Sequence, residues 1–134
     1  MNFKIDTREK FTVITPDSDF LADNLAAPLF ASIEDVKQSD TKNIILNLKN
    51  INAIETDTAQ KIAQHQQSFY EENISFVVCE MQSSVEDVFE KAELMDTLNY
   101  TPTESEAWDI IQMEEIEREL MDDENPLFNS LDND

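Results

Sequence analysis

The chain has 134 residues, 40% of them hydrophobic, which suffices for one modest core and one domain. Thirty acids against nine bases give a formal net charge of −21, a field that repels nucleic-acid phosphates and anionic membranes and favours a basic protein surface. There is no glycine, where average usage of about 7% would give roughly nine, so glycine-rich phosphate loops and dinucleotide fingerprints are absent.

Cys79 is the single cysteine, which excludes an internal disulfide or a cysteine-cluster metal site. It ends the apolar run Phe76-Val77-Val78-Cys79 and reads as a buried, inert thiol. Met1-Asn2-Phe3-Lys4 opens no signal peptide, and no apolar stretch reaches membrane-spanning length. A cytoplasmic location is the expectation, with no cofactor and no metal.

In chain order, Phe3–Asp6 and Phe11–Thr15 read as two strands joined by the polar turn Thr7–Lys10. Pro16–Asp23 is rich in loop formers. Pro28 belongs in a first helical turn, so a helix runs from about Ala27 to Gln38 and buries Leu29, Ile33 and Val36. Ile44, Ile45, Leu46 and Leu48 form a strand covered on both faces. Asn50–Ile54 carries no period. From Thr56–Asp57 the pattern turns helical, with Ala59, Ile62, Ala63, Gln66, Phe69 and Tyr70 on one face and an end near Glu72.

Ile74–Cys79 is a second buried strand. Ser83 with Glu86 reads as a capping box opening a third helix whose apolar face is Val85, Val88, Phe89 and Ala92. Leu98–Thr101 is a short edge strand broken by Pro102. Thr103 with Glu106 repeats the capping pattern before a fourth helix that carries Ala107, Trp108 and Ile111 and extends towards Leu120. The order predicts an α/β fold: a mixed sheet of about five strands with about four helices. From about Gln112 the composition turns acidic, so residues 1–111 are read as the domain. Residues 112–134 are read as an acidic extension, with Ile116, Leu120 and Met121 on a thin helical stripe and 122–134 disordered.

Three stretches carry a family resemblance. Ile44–Leu48 followed by Ile54-Glu55-Thr56-Asp57-Thr58-Ala59 is similar to a hydrophobic strand, loop and aspartate–serine–serine–glycine–leucine signature. Ala27-Pro28-Leu29 looks like an alanine–proline helix start, and Thr103–Trp108 like a last-helix opening with serine, glutamate, alanine and leucine. The family is the STAS domain, found in anti-sigma-factor antagonists and sulphate-transporter tails. The resemblance implies a STAS fold, no catalytic residue, and a protein partner such as an anti-sigma factor or a kinase-like regulator in bacterial transcription regulation. An accessory subunit of a transport or sensory assembly is its alternative. Matched residue by residue, Glu55 takes the aspartate position, Thr56 the first serine, Asp57 the second and Thr58 the glycine. In antagonist members the second serine is phosphorylated; Asp57 cannot accept that phosphate.

Asp57 is therefore either an N-cap, in an Asp57–Gln60 capping box, or a permanent mimic of the phosphorylated state. Thr56 and Thr58 are alternative phosphoacceptors or plain loop hydroxyls. The expected partner-binding corner comprises Asn50, Asn52, Glu55, Thr56, Asp57, Thr58 and Lys61. Pro126, Leu127 and Phe128, set in acid, form a candidate docking peptide. His65, the only histidine, reads as a partly exposed helix residue. A receiver-like phosphotransfer domain is the competing class, with Asp57 as acceptor and Asp17 and Asp19 holding Mg²⁺, though no lysine follows Tyr100. A homodimer through the acidic extension is a third reading.

Overall fold

The computed structural model describes residues 2–121. In chain order the elements are β1 (Asn2–Thr7), β2 (Thr12–Asp17), β3 (Phe20–Leu21), a 3-10 turn (Asp23–Leu25) and α1 (Ala27–Lys37). They continue with β4 (Ile44–Asn47), β5 (Ala53–Ile54), α2 (Thr56–Glu71) and β6 (Phe76–Cys79). α3 (Ser83–Lys91), β7 (Tyr100–Thr101) and α4 (Glu104–Met121) complete the described chain.

One sheet has the order β1-β2-β4-β6-β7, with β1 antiparallel to β2 and the other neighbours parallel. Every residue of β4 and β6 is buried, as the two apolar runs require of central parallel strands. Side chains alternate between two cores. Ile44, Leu46, Phe76 and Val78 join α1, α2 and α3 on one face, through residues that include Leu29, Ile33, Ile62, Phe69 and Phe89. Ile45, Val77 and Cys79 face the other way, where α4 covers them with Ala107 and Ile111 beside Phe11 and Val13. Full burial of each large apolar side chain contributes about 1.5–3 kcal/mol, so the larger first core dominates the stability.

Two amides inside this frame are bonded. Gln66, on the buried face of α2, donates through Nε2 to the Phe76 and Asn99 carbonyls at 3.1 and 3.0 Å, and its Oε1 accepts the Asn99 N–H at 3.0 Å. That satisfaction is why an amide sits among Ile62 and Phe69. Asn43, before β4, donates to Glu115 of α4 at 2.6 Å and accepts the Ser75 N–H at 3.0 Å.

Without glycine, the left-handed turns fall to other residues: Asn73 (φ 61°), Glu80 (φ 57°) and Glu93 (φ 59°). Asn73 and Glu93 close α2 and α3 in the same way. The Ile74 N–H returns to the Phe69 carbonyl at 2.9 Å, and the Leu94 N–H to the Phe89 carbonyl at 2.9 Å.

Several expectations change. Tyr70 is 75% exposed and not on the buried face of α2, because it lies about 100° round the helix from Phe69, which holds that face to the core in the last turn. α3 begins at Ser83 with Gln82 as its N-cap and no side-chain capping bond, so the Ser83–Glu86 box is not made; Ser84 Oγ instead donates to the Asn52 carbonyl at 2.6 Å. The Thr103–Glu106 pair does form, the Glu106 N–H donating to Thr103 Oγ1 at 3.2 Å and that hydroxyl donating to Glu106 Oε1 at 2.9 Å. Trp108 is only half-buried, tilted against Phe11 at 5.1 Å with the Arg8 guanidinium above it at 5.8 Å. α4 runs to Met121, in keeping with the helical stripe expected at Ile116, Leu120 and Met121. The docking peptide Pro126, Leu127 and Phe128 lies outside the described residues.

Candidate functional site

The corner where β5 passes into α2 is held by a segment some thirty residues earlier. The Asn52 and Ala53 N–H groups donate to the Asp19 carbonyl at 3.1 and 2.9 Å, and Asn52 Nδ2 reaches Asp19 Oδ1 at 3.0 Å. β3 and β5 pair in parallel, Phe20 with Ala53 and Leu21 with Ile54. The Glu55 N–H then bonds the Leu21 carbonyl at 3.2 Å.

Glu55 is the N-cap of α2, in extended backbone, yet its carboxylate turns away from the helix amides. Oε1 accepts the Asp23 N–H at 2.9 Å. Lys61, farther along α2, pairs with the Asp23 carboxylate at 2.8 Å. Asp23, Glu55 and Lys61 thus lash the 3-10 turn to the start of α2, and two of the expected contact residues serve as braces. Asp57 is not the N-cap, so the Asp57–Gln60 capping box is corrected. It sits exposed in the first turn, where the helix dipole favours a negative charge.

Thr56 is exposed beside it. Thr58 is fully buried and its hydroxyl has no hydrogen-bond partner among the described residues, so it offers neither a contact nor a phosphoacceptor at the surface; this removes it from the expected corner. Asn52 is exposed on the corner. Asn50 is exposed too, but it lines a separate shallow groove of about 470 Å³ with Thr15, Asp17, Lys49 and Glu104.

Two apolar side chains escape a reading by periodicity. Phe20 is 46% exposed and Leu25 59% exposed, one in β3 opposite Ala53, the other in the turn that Glu55 and Lys61 hold. Neither lies in a periodic segment, and the only signal for them is a large apolar residue in a stretch otherwise rich in loop formers. The corner therefore presents Phe20, Leu25, Asn52, Thr56 and Asp57 on a braced frame.

Other reactive groups are accounted for by packing. His65 stacks on Phe30 at 4.8 Å and lies 3.6 Å from Glu34; burial pulls its pKa below 6.5 despite that carboxylate. The Cys79 thiol is pushed up to about 12 by burial, with Glu80 and Glu104 adding to the shift, so it is not a nucleophile near neutral pH.

A STAS domain family model matches residues 2–107. The chain belongs to the STAS family. Its fold is shared by SpoIIAA, an anti-sigma factor antagonist seen in its unphosphorylated form, at 16% identity and a TM-score of 0.66, over 83% of this chain and 96% of that one. An anti-sigma factor antagonist from Mycobacterium paratuberculosis superposes with a TM-score of 0.68 at 15% identity, covering 83% and 93%. A STAS domain protein from Planctomyces limnophilus does so with a TM-score of 0.71 at 11% identity, covering 82% and 97%. No curated protein matches the STAS chain in sequence. The leading antiparallel hairpin and the family assignment replace the receiver reading, since a receiver winds a parallel sheet of order 2-1-3-4-5. Among the described residues no helix is long and apolar enough to cross a membrane.

Proposed function

We propose that this STAS protein is a non-enzymatic interaction module, resembling an anti-sigma-factor antagonist, whose docking corner is permanently charged by Asp57. The exposure of Asp57 in the first turn of α2, on a frame fixed by Asp23, Glu55 and Lys61 that also exposes Phe20 and Leu25, is the observation that carries the reading. Apolar area supplies affinity there, while the carboxylate and the −21 net charge select and steer a basic surface. A serine at this position would switch the corner's charge by phosphorylation; an aspartate keeps part of that charge at all times. The partner is a cytoplasmic regulator of the anti-sigma-factor or kinase-like class.

The test is capture of the partner from the protein's own cell extract, followed by titration of wild type, Asp57→Lys and Asp57→Ser. Asp57→Lys should weaken binding at least about tenfold, a change of about 1.4 kcal/mol. Affinity should fall as ionic strength rises past about 0.15 M. Undiminished binding of Asp57→Lys, with no salt dependence, refutes the charged corner. A membrane transporter as the captured partner would instead favour an accessory role in a transport assembly.

A further inference from the structure

We propose that the outer face of α4 is a second docking surface that receives a basic amphipathic helix from another protein. The rotational setting of α4 is fixed from below. Ala107 and Ile111 are buried against the sheet, Glu115 accepts from Asn43 at 2.6 Å, and Arg118 donates to Ser75 Oγ at 3.1 Å. At 3.6 residues per turn, Met113, Ile116 and Leu120 then fall on the opposite side. They are 56%, 56% and 43% exposed.

Single exposed apolar residues need no explanation, but these three follow a spacing of three and four residues. They make a continuous stripe about 10 Å long. That is the pattern by which one helix receives another.

Charge decides the occupant. α4 carries seven acidic residues and one arginine in eighteen positions, with Asp109 in line with the stripe and Glu117 along its edge. A second copy would bring the same charge against itself, and an anionic lipid surface would be repelled likewise. A helix whose leucine-like stripe is flanked by lysine or arginine meets both the apolar stripe and its acidic border. The contact is small, so it suits a transient partner. α2 covers one face of the sheet and α4 the other, so this surface is independent of the Asp57 corner.

The test uses the full chain and a fluorescent 18-residue peptide of leucine and lysine with its leucines at heptad positions. An isomer of the same composition with scattered leucines is the control. The heptad peptide should bind at least tenfold more tightly than the isomer, and the double variant Ile116→Ser, Leu120→Ser should abolish that preference while remaining folded by circular dichroism. Asp57→Lys should leave it unchanged. Equal binding of both peptides, indifference to the double variant, or sensitivity to Asp57→Lys overturns the proposal. So does a dimer in sedimentation that the double variant dissolves, since the stripe would then serve a second copy.

Discussion

Glu80 and Glu93 allow the capping of α4 to be measured by one substitution made twice. Both take left-handed backbone, φ 57° and 59°, in a chain without glycine. That conformation costs an L-residue about 1–2 kcal/mol. Glycine avoids the clash but loses more entropy on folding, about 0.5–1 kcal/mol relative to alanine. Exposed Glu93 ends α3, so Glu93→Gly should stabilise the protein by about 1 kcal/mol.

At Glu80 the same change gains as much from the backbone and loses a bond. Its Oε2 accepts the Glu104 N–H at 2.9 Å, at the first residue of α4. A hydrogen bond to a charged group contributes about 1.5–3 kcal/mol, and partial exposure of Glu80 argues for the lower end. Glu80→Gly should therefore be neutral to about 1 kcal/mol destabilising, leaving the two variants about 1–2 kcal/mol apart. Urea unfolding at neutral pH reads the difference, provided the slope with denaturant is the same for both. Equal stabilisation by both substitutions would show that the Glu80 carboxylate does not hold the start of α4.

Thr58→Val replaces a buried hydroxyl that has no partner among the described residues with a side chain of the same shape, and should raise stability by about 1 kcal/mol while leaving partner binding unchanged. A lower urea midpoint for Thr58→Val would show that the hydroxyl is bonded after all. His65 contributes to acid sensitivity through burial. Its folded pKa lies below 6.5, so as pH falls through that value the unfolded chain takes up the proton first and stability declines, levelling below the folded pKa. His65→Phe should remove that part of the decline; melting temperatures of wild type and variant that change in parallel over this interval would contradict it.

The parts of the fold legible in the sequence are those whose residues report on their own surroundings. Leu29, Ile33 and Val36 follow a helical period behind Pro28, and the three are buried in α1. Ile44–Leu46 and Phe76–Cys79 are apolar runs and form the central strands. β3 and β5 have two residues each, too few for any period, and exist because Phe20 and Leu21 lie beside Ala53 and Ile54. The cap of α2 was ambiguous for a similar reason. Glu55, Thr56, Asp57 and Thr58 each have a side chain able to cap, and contacts with Leu21 and Asp23, more than thirty residues away, decide where the helix begins.

That long-range choice also divides the charges at the corner. Glu55 and Asp23 are engaged with an amide and a lysine, so their carboxylates are committed to the frame. Among the described residues Asp57 has no such engagement, and it is exposed in the first turn of α2. A phosphoserine would bring about −1.5 to −2 charges and three acceptor oxygens, whereas a carboxylate brings one charge and two oxygens. On the proposed reading, a basic partner would meet a weaker but unswitched anion, on a frame that also exposes Phe20 and Leu25. Affinity at such a corner would rest on the apolar pair, with the aspartate chiefly deciding which surfaces approach it. Truncating Phe20 or Leu25 to alanine should accordingly shorten the life of the complex, whereas changing Asp57 should act first on how fast it forms; dissociation rates unchanged by both truncations would refute this division.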